Sequence, residues 1–268
     1  MTEVFEKLDE IIEPLQSLGF NLVRQKTTVF DTKLGGLPYW PVEMEYPTDE
    51  DDEPMCLLAQ LNFNKLPKVK NFPTFGILQF FISSTDCYGA DFDDLTNQKN
   101  FRIVYHKDIR ENNLLDTLPK HSEDYVEELP FEGEYLLVPL EVSEMRIDAY
   151  DYRFDDLVKS IYNELTDDEK INTIYDLDDK DKNACFDRNE RTTVFIGGYP
   201  IFTQDDPRDY NDDIRDCNIV LFESDSIYKK SEDIVIKWGD SGTGTFLIPL
   251  ENLKNLDFTK VAYNFDCC

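Results

Sequence analysis

The sequence is poor in the residue types on which most metal sites depend. It contains only two histidines among 268 residues, His106 and His121, and its six cysteines include no Cys-x-x-Cys pair. Zinc sites need several nitrogen or sulfur ligands at close, regular spacing, which this chain does not offer. The sequence therefore predicts no metal centre, and nothing in it implies a cofactor.

Positive charge is also scarce. The chain has 27 Lys and Arg against 56 Asp and Glu, which gives a formal net charge of −29. Proteins hold phosphate backbones and anionic lipid surfaces mainly through Lys and Arg. We therefore expect neither nucleic acid nor a membrane as a partner, and a surface of this charge favours a basic protein or a cation instead.

No apolar run approaches the roughly 20 residues that span a bilayer. The N-terminal segment carries acidic residues where a signal peptide would carry Lys or Arg. Scattered cysteines in a chain of this length do not indicate a disulfide framework, so thiols in the cytoplasm are expected. Cys267 and Cys268 could form a redox pair or a soft-metal site, but a vicinal disulfide is strained, which favours two ordinary thiols.

Hydrophobic periodicity predicts a mixed chain. Apolar residues from Val4 to Leu18 recur at helical spacing, with Pro14 as a kink or a second start. A second helix is predicted over 154–165, and Thr166–Glu169 has the pattern of a capping box that opens another helix. Strands are predicted over 20–23, 57–63, 77–82, 101–105, 135–138, 192–196, 219–222, 234–237, 245–248 and 261–265.

A short motif occurs twice. Gly35-Gly36-Leu37-Pro38 is matched by Gly197-Gly198-Tyr199-Pro200, and a predicted strand begins 22 residues after the first glycine in both copies, at Leu57 and Ile219. The motif could have arisen twice by chance, but the equal spacing favours duplication. We predict one compact domain over 1–268, with two pseudo-repeats at about 20–110 and 190–268 joined by a helical segment.

The two Gly-Gly-x-Pro bends are the predicted binding site. Paired glycines permit positive φ, and successive backbone N–H groups at such bends can hold an anion. Gln60 and Gln79 lie on neighbouring predicted strands and could add amide contacts; the alternative is that glycines and glutamines serve packing and buried backbone. The candidate residues are Gly35, Gly36, Pro38, Trp40, Gln60, Gln79, Gly197, Gly198, Pro200, Gln204, Trp238 and Asp240.

Several segments together resemble a known family. They are TKLGGLPYWP (32–41), LLAQLNF (57–63), FGILQFFIS (75–83), GGYPIFTQDDP (197–207), WGDSGTGTFLIP (238–249) and the terminal NFDCC. This combination resembles the YwqG-like family, a bacterial family of domains of unknown function. The resemblance implies an α+β protein with antiparallel sheets and brings no established activity. Glu223 and Asp225 stand in a segment where relatives often have a glutamine before an aspartate-rich turn.

Two further patterns suggest chemistry. Gly239-Asp240-Ser241-Gly242 matches the nucleophile turn of chymotrypsin-type proteases, but His106 and His121 lack the surroundings of a catalytic base, so we interpret the segment as a turn. The acidic clusters do not follow the EF-hand pattern and are expected to be solvated. Paired carboxylates for glycoside hydrolysis stay open, because their separation is spatial.

We therefore expect an α+β fold in which antiparallel, β-rich sheets from two internally duplicated halves are covered by helices. The preferred function is a non-enzymatic binding protein, immunity- or inhibitor-like towards a basic partner. The alternative is a small-molecule sensor or enzyme that uses a cleft between the two repeats.

Overall fold

The protein is mostly β. The computed structural model describes residues 1–84, 86–123, 125, 128–166 and 169–268. Helical segments hold only 18% of the residues. The α-helices are α1 (Thr2–Ile11), α2 (Phe154–Leu165), α3 (Asp179–Phe186) and α4 (Leu250–Lys254). Short 3₁₀ turns are Asp86–Gly89, Ile174–Asp176, Asp212–Ile214 and Lys230–Glu232.

Within the described ranges, twelve strands make up the rest of the framework. They are β1 (Leu15–Arg24), β2 (Lys33–Gly35), β3 (Cys56–Asn62), β4 (Ile77–Ile82), β5 (Phe101–His106), β6 (Glu134–Met145), β7 (Val194–Gly197), β8 (Ile219–Asp225), β9 (Ile227–Lys229), β10 (Ile234–Ile236), β11 (Thr243–Ile248) and β12 (Ala262–Asp266).

Ten of these strands form one continuous sheet. Their order is β12-β11-β8-β7-β1-β6-β2-β3-β4-β5, every neighbouring pair is antiparallel, and β9 and β10 form a separate ladder. The prediction of an α+β fold with sheets from two duplicated halves is therefore wrong. The central strands β1 and β6 pair directly over most of their length, so no boundary between sheets exists there. The repeat limits of about 20–110 and 190–268 stay a prediction.

The sheet curls until its two edges almost meet. The rings of Phe101 in β5 and Tyr263 in β12 lie 5.3 Å apart, centroid to centroid, although these strands are at opposite ends of the strand order. The N–H of Tyr263 donates to the carbonyl of Leu95, in the loop before β5, at 2.8 Å. Burial of large aromatic rings inside the curl favours this near-closure.

Alternation along the strands separates an inner core from an outer one. In β4, Leu78 and Phe80 face the inside of the curl, whereas Phe81 packs outside against Trp40 and Leu57. Helices α1 and α2 cover the outer face of the other end of the sheet through residues such as Leu8 and Val158. Packing on both faces holds strands β3, β4, β8, β11 and β12 in place. The candidate sites lie on these strands.

Most predicted elements are confirmed with shifted limits, and the first helix is the main error. Helix α1 ends at Ile11, while Leu15 and Leu18 belong to β1 and pair with β6. Pro14 separates the two elements, since proline cannot continue a helix. The strand predicted over 234–237 exists as β10, which pairs with β9 and forms an isolated bridge from Ile236 to Phe131, outside the ten-stranded sheet. The capping box over Thr166–Glu169 includes Asp167 and Asp168, which lie outside the described residues.

Candidate functional site

Both Gly-Gly-x-Pro bends follow a short strand, and both need glycine because of their backbone angles and close backbone contacts. All four glycines have positive φ, between 64° and 72°: Gly35, Gly36, Gly197 and Gly198. A Cβ on Gly35 would lie 2.5 Å from the carbonyl oxygen of Gly133, and one on Gly197 would lie 2.3 Å from that of Gln16. These distances exclude a side chain, so the first glycine of each bend permits close backbone approach.

A buried amide network fixes the first bend. The N–H of Tyr39 donates to Oε1 of Gln60 at 2.9 Å, and Nε2 of Gln60 donates to the carbonyls of Val29 and Asp31. Gln79 lies directly opposite Gln60 in the β3–β4 pair and donates to both Gln60 Oε1 and the Tyr39 carbonyl. The adjacency predicted for the two glutamines is confirmed, and their contacts are with buried backbone.

His106 completes this network as a neutral donor. Its Nε2 lies 2.9 Å from Oε1 of Gln79. Because Nε2 of Gln79 already donates twice, Oε1 must accept, and the imidazole therefore carries its proton on Nε2. Burial lowers the pKa of His106 to about 4. Trp40 packs against His106 in the outer core, and Pro38 is buried. The amides and the imidazole of this network are thus neutral, while the buried ammonium of Lys33 donates to the Leu37 carbonyl of the same bend.

Carboxylates occupy the corresponding place at the second bend. The N–H of Ile201 donates to both carboxyl oxygens of Glu223, at 3.1 and 3.2 Å, and the hydroxyl of Thr245 donates to Oε2 at 3.3 Å. Glu223 is fully buried. Burial, and secondly the charge of Asp225, raise its pKa well above the usual range. Burial therefore favours the protonated, neutral form of Glu223.

Two more carboxyl groups flank β11 in the next row of the sheet. Thr243 is directly opposite Asp225 on one side and Asp266 on the other. Its hydroxyl donates to Oδ1 of Asp225 at 2.9 Å. The N–H of Gln204 donates to Oδ2 of Asp266 at 2.8 Å. Together Glu223, Asp225 and Asp266 form what we call the carboxylate cluster.

Strand register shows that the two bends carry different chemistry at matching positions. In the first set of strands, Gln60 pairs with Gln79, and Ile77 lies between Asn62 and His106. In the second set, Glu223 pairs with Thr245, and Thr243 lies between Asp225 and Asp266. Amides and a neutral imidazole at the first bend are thus replaced by three carboxyl groups at the second. Of the three carboxyl groups at the second bend, that of Asp225 lines a cavity.

Burial shifts the acids of this cluster towards neutrality. It raises the pKa of Asp225 to about 6, with a further contribution from the charge of Asp266. It raises the pKa of Asp266 as well, against the backbone N–H groups that lower it. Perturbed acids beside a cavity are a common mark of a functional site, although structural networks produce them too.

A cavity of about 360 Å³ opens beside the cluster. Asp225, Thr203 and Thr243 line one part of it, and Arg191 and Tyr150 line another. The Arg191 guanidinium lies 3.9 Å from the centre of the Tyr150 ring and forms an ion pair with Asp148 at 3.3 Å. The charge of Arg191 also acts on the carboxylate cluster, because it lowers the pKa of Asp225 against the burial that raises it.

An acidic loop begins where the second bend ends. Residues 205–216, here called the acidic loop, carry five exposed aspartates: Asp205, Asp209, Asp212, Asp213 and Asp216. Tyr210 stands among them with 73% of its surface exposed. The loop contains two arginines, and both are committed internally: Arg208 is fully buried, while Arg215 donates to the Asp209 carbonyl and pairs with Asp212.

A buried ion-pair network anchors this loop. Nη2 of Arg208 lies 2.6 Å from Oδ2 of Asp206 and 3.0 Å from Oδ2 of Asp151, just before α2. Asp206 also accepts the backbone N–H of Tyr152 at 3.1 Å. Buried ion pairs held by additional hydrogen bonds fix geometry, because breaking one leaves an uncompensated charge. The exposed aspartates are therefore presented on a fixed support.

A second cavity, of about 310 Å³, lies at the first bend. Gly35 and Gly36 line it together with Cys56, His121 and Glu134. Most of the remaining lining is apolar, from residues such as Leu118 and Leu129. A half-enclosed apolar cavity with a few converging polar groups is the usual form of a small-molecule site.

The other predicted site residues are dispersed. Gln204 is exposed and contributes its backbone to Asp266, and Pro200 is buried in the second bend. Trp238 is fully buried against Phe265, so it fills the core. Asp240 is exposed in a turn and lies 3.7 Å from Lys237. The interpretation of Gly239–Gly242 as a turn is confirmed by the Gly242 N–H, which donates to the Trp238 carbonyl.

Sequence reasoning missed the carboxylate cluster as a site. A signal was present, since Glu223 and Asp225 alternate with other residues at the end of an apolar strand, where one face is expected to be buried. Within the described residues, no group of three or more His, Cys, Asp or Glu side chains is arranged to hold a metal ion. Nor does any helix of the described chain have the length and apolar character needed to cross a membrane.

Comparison with known families defines the class to which this fold and these bends belong. A family described as Domain of unknown function (DUF1963) matches residues 32–267. The chain belongs to this family, which spans both Gly-Gly-x-Pro bends, the carboxylate cluster and the acidic loop. A search of the curated proteins finds no match.

Proposed function

We propose that this protein is a non-enzymatic binding protein that captures a basic protein partner through the acidic loop. The observation that carries the proposal is the set of five exposed aspartates in the loop of Tyr210, of which Asp212 pairs with Arg215 and Asp216 with Lys260, while Asp205, Asp209 and Asp213 have no ion pair with a described residue. Complementary charge accelerates encounter and selects partners, and an exposed aromatic ring at the centre of a charged surface is a common anchor in interfaces.

Rigidity of the loop supports the same function. The buried Arg208 network anchors the loop through Asp206 and Asp151, so little ordering of its backbone would accompany binding. A flexible acidic tail would attract cations equally well but would lose conformational entropy on docking. A preorganised surface suits a protein that must recognise one shape, which is the property of an inhibitor.

An immunity- or inhibitor-like role towards a basic toxin is the specific form of this proposal. We also propose that the chain is YwqG-like within its family, on the motifs at 32–41 and 197–207. We place it in the cytoplasm, since Cys185, Cys217, Cys267 and Cys268 form no disulfide with any described residue. A reducing compartment keeps such thiols in this state.

The test is affinity capture from native lysate at low and moderate salt, with three forms of the protein. One is the wild type, and one carries Asp205→Asn, Asp209→Asn, Asp212→Asn and Asp213→Asn. The control form carries four substitutions at exposed acids outside the loop: Asp108→Asn, Glu111→Gln, Asp116→Asn and Glu132→Gln. Equal loss of charge in both variants separates the contribution of the loop from that of net charge.

We expect one stoichiometric basic protein on the wild type and on the control variant at low salt, and its loss at moderate salt. The acidic-loop variant should not retain it. A partner that binds the acidic-loop variant as well as the wild type, or that is insensitive to salt, would contradict the proposal. So would the absence of any specific partner.

A small-molecule function is the second candidate, and the cavity at the first bend favours it. Gly35 and Gly36, predicted as site residues, line this cavity beside His121 and Cys56. A metabolite screen by thermal shift tests the idea. A true ligand should raise the Tm of the wild type and not that of a Leu118→Trp variant, in which the larger ring fills the cavity. Equal shifts in both proteins would place the ligand elsewhere.

A further inference from the structure

The two edges of the curled sheet approach each other without forming a ladder. Strands β5 and β12 stand at opposite ends of the strand order and are not paired with each other in the described chain. They meet at one end, where the rings of Phe101 and Tyr263 are in contact. Beyond this contact, a groove of about 710 Å³ is lined both by β5 and by residues 256–259, which precede β12. We call it the seam groove.

The register of β5 shows which of its backbone groups face the seam groove. Strand β5 pairs with β4 without a bulge from Phe101 to His106. The N–H of Ile103 points away from β4, because it donates to Oε1 of Gln98 at 3.2 Å. Alternate residues of an antiparallel strand direct their N–H and C=O groups to the same side, so those of Tyr105 face this side too. The free edge of β5 therefore offers donors and acceptors to another strand.

One side-chain amide bridges the groove. While Oε1 of Gln98 accepts from Ile103, its Nε2 donates to the Phe258 carbonyl at 2.8 Å and lies 3.4 Å from the Thr259 carbonyl. A primary amide offers the same acceptor and donor as a peptide group. A peptide group that accepts from one neighbour and donates to the other is the arrangement of a strand between two strands. The Gln98 amide thus occupies the place of one peptide group of an absent strand.

We propose that the seam groove receives one extended segment of the basic partner, whose backbone replaces the Gln98 amide and pairs with β5 as an added strand. Strand addition to a free sheet edge is a general mode of peptide recognition, in which main-chain hydrogen bonds provide the affinity. The inference rests on the proposed function, because the segment belongs to the partner that the acidic loop captures.

The two walls of the groove favour a single segment over a second copy of this chain. Strand β5 of another molecule is already bonded to its own β4 and has one free edge. An occupant of the groove needs two free edges, since β5 lies on one side and the carbonyls of Phe258 and Thr259 lie on the other. An isolated extended segment meets this requirement.

The groove is joined to the acidic loop by an ion pair. Nζ of Lys260 lies 2.7 Å from Oδ1 of Asp216, the last residue of the loop, and Lys260 directly follows Thr259 in the groove wall. The charged residues that line the groove are one of each sign, Arg102 and Asp257. The groove therefore selects an extended backbone rather than a charge, while the neighbouring loop attracts the basic partner.

The experiment is an NMR titration of the full chain with a neutral probe, an acetylated and amidated hexapeptide of alternating Thr and Val. We expect saturable binding with a Kd of about 1 mM or tighter, and movement of the Ile103 and Tyr105 amide signals. Hydrogen exchange of the Tyr105 N–H should slow at least about tenfold, whereas the Val104 N–H, which faces β4, should be protected with or without the probe. No saturable binding below about 10 mM, or signal changes confined to other residues, would overturn the proposal.

Two controls test whether the peptide backbone is what binds. The same hexapeptide with N-methylated Val residues lacks the N–H donors of one edge and should bind at least about tenfold more weakly. Gln98→Ala removes the competing amide and should strengthen binding of the unmodified probe at least about threefold. Thr96→Ala, in the same groove but bonded to Asp94, should change it less than about twofold. Equal binding of both peptides, or unchanged or weaker binding to a Gln98 variant that circular dichroism shows to be folded, would overturn the proposal.

The acidic-loop variant separates this inference from the proposed function. It keeps the groove intact and should bind the neutral probe as the wild type does. Absence of any basic partner, with binding of the probe retained, would contradict the proposed function and leave the groove as a strand-binding site. Capture of a basic partner that leaves exchange of the Tyr105 N–H unchanged would contradict the inference and leave the proposed function standing.

Discussion

Glu223 and Gln60 perform the same structural task with different chemical groups. Each side chain accepts the N–H of the residue four positions after the first glycine of its bend, Tyr39 for Gln60 and Ile201 for Glu223. Both side chains are fully buried. An amide is easier to bury than a carboxyl group, because it is neutral without binding a proton. A carboxyl group at this position therefore makes stability depend on pH.

We expect Glu223→Gln to stabilise the protein at alkaline pH. The new Oε1 accepts from Ile201, Nε2 donates to Thr245, and no charge is buried. Because the folded pKa of Glu223 is raised, its contribution to stability is present at low pH and is lost as pH rises towards that pKa. Urea unfolding should show a gain of about 1–3 kcal/mol at pH 8 and a smaller change at pH 5.

The reciprocal change at the first bend is the control. Gln60→Glu removes the two N–H donors that serve the carbonyls of Val29 and Asp31 and places a carboxylate against them. It should destabilise the protein by about 3 kcal/mol or more at pH 8. If both substitutions changed the free energy of unfolding at pH 8 in the same direction, the assignment of a neutral carboxyl group to Glu223 would be contradicted.

His106 gives a pH dependence of opposite sign. Its folded pKa of about 4 lies below the ordinary value of 6.5, so the unfolded chain binds the extra proton first. Stability should therefore fall as pH decreases from 6.5 towards 4, and by about 3 kcal/mol in total. NMR of a His121→Gln variant, which leaves one histidine signal, should show a midpoint near pH 4 and a proton on Nε2. A midpoint near 6.5 would show that the imidazole is not buried as described.

Much of the framework was predictable because it depends on local patterns. The continuous apolar run of β4 and the amphipathic pattern of α2 identify these elements from the sequence alone. The prediction of a helix that reaches Leu18 is wrong for a physical reason. The helical spacing of apolar residues continues past Pro14, but these residues form β1, which is stabilised by pairing with β6. Strand β6 begins 110 residues after β1 ends. The hydrophobic periodicity of a segment does not show which distant strand it will pair with.

The candidate site was predictable only in part for the same reason. Each Gly-Gly-x-Pro bend is visible as a motif, and the opposition of Gln60 and Gln79 follows from two neighbouring strands. The carboxylate cluster depends on β11 lying between β8 and β12, which brings Asp225 and Asp266 to either side of Thr243 from positions 41 residues apart. Only the strand order reveals that arrangement.

The glycines of the second bend should differ in their tolerance to substitution. A Cβ at position 197 meets the carbonyl oxygen of Gln16, which is part of β1 and cannot move, whereas a Cβ at position 198 meets the flexible end of Met145. Gly197→Ala should therefore lower the free energy of unfolding by at least about 3 kcal/mol, and Gly198→Ala by about 1–2 kcal/mol from positive φ alone. Thermal unfolding measures both. Equal losses would show that φ strain, rather than backbone approach, makes glycine necessary.

Removing the charge of Arg208 should separate the fold from the presentation of the acidic loop. Arg208→Met keeps much of the side-chain volume but leaves Asp206 and Asp151 without the guanidinium that lies within 3.0 Å of each. Breaking a buried pair in this way costs about 3–5 kcal/mol. Arg215→Met, at a half-exposed ion pair, should cost less than about 1 kcal/mol. Hydrogen exchange should show faster exchange over 205–216 in the Arg208 variant and little change in β3 and β4, because the network contacts the loop and the start of α2. Faster exchange throughout the sheet would show that Arg208 supports the whole fold rather than the loop.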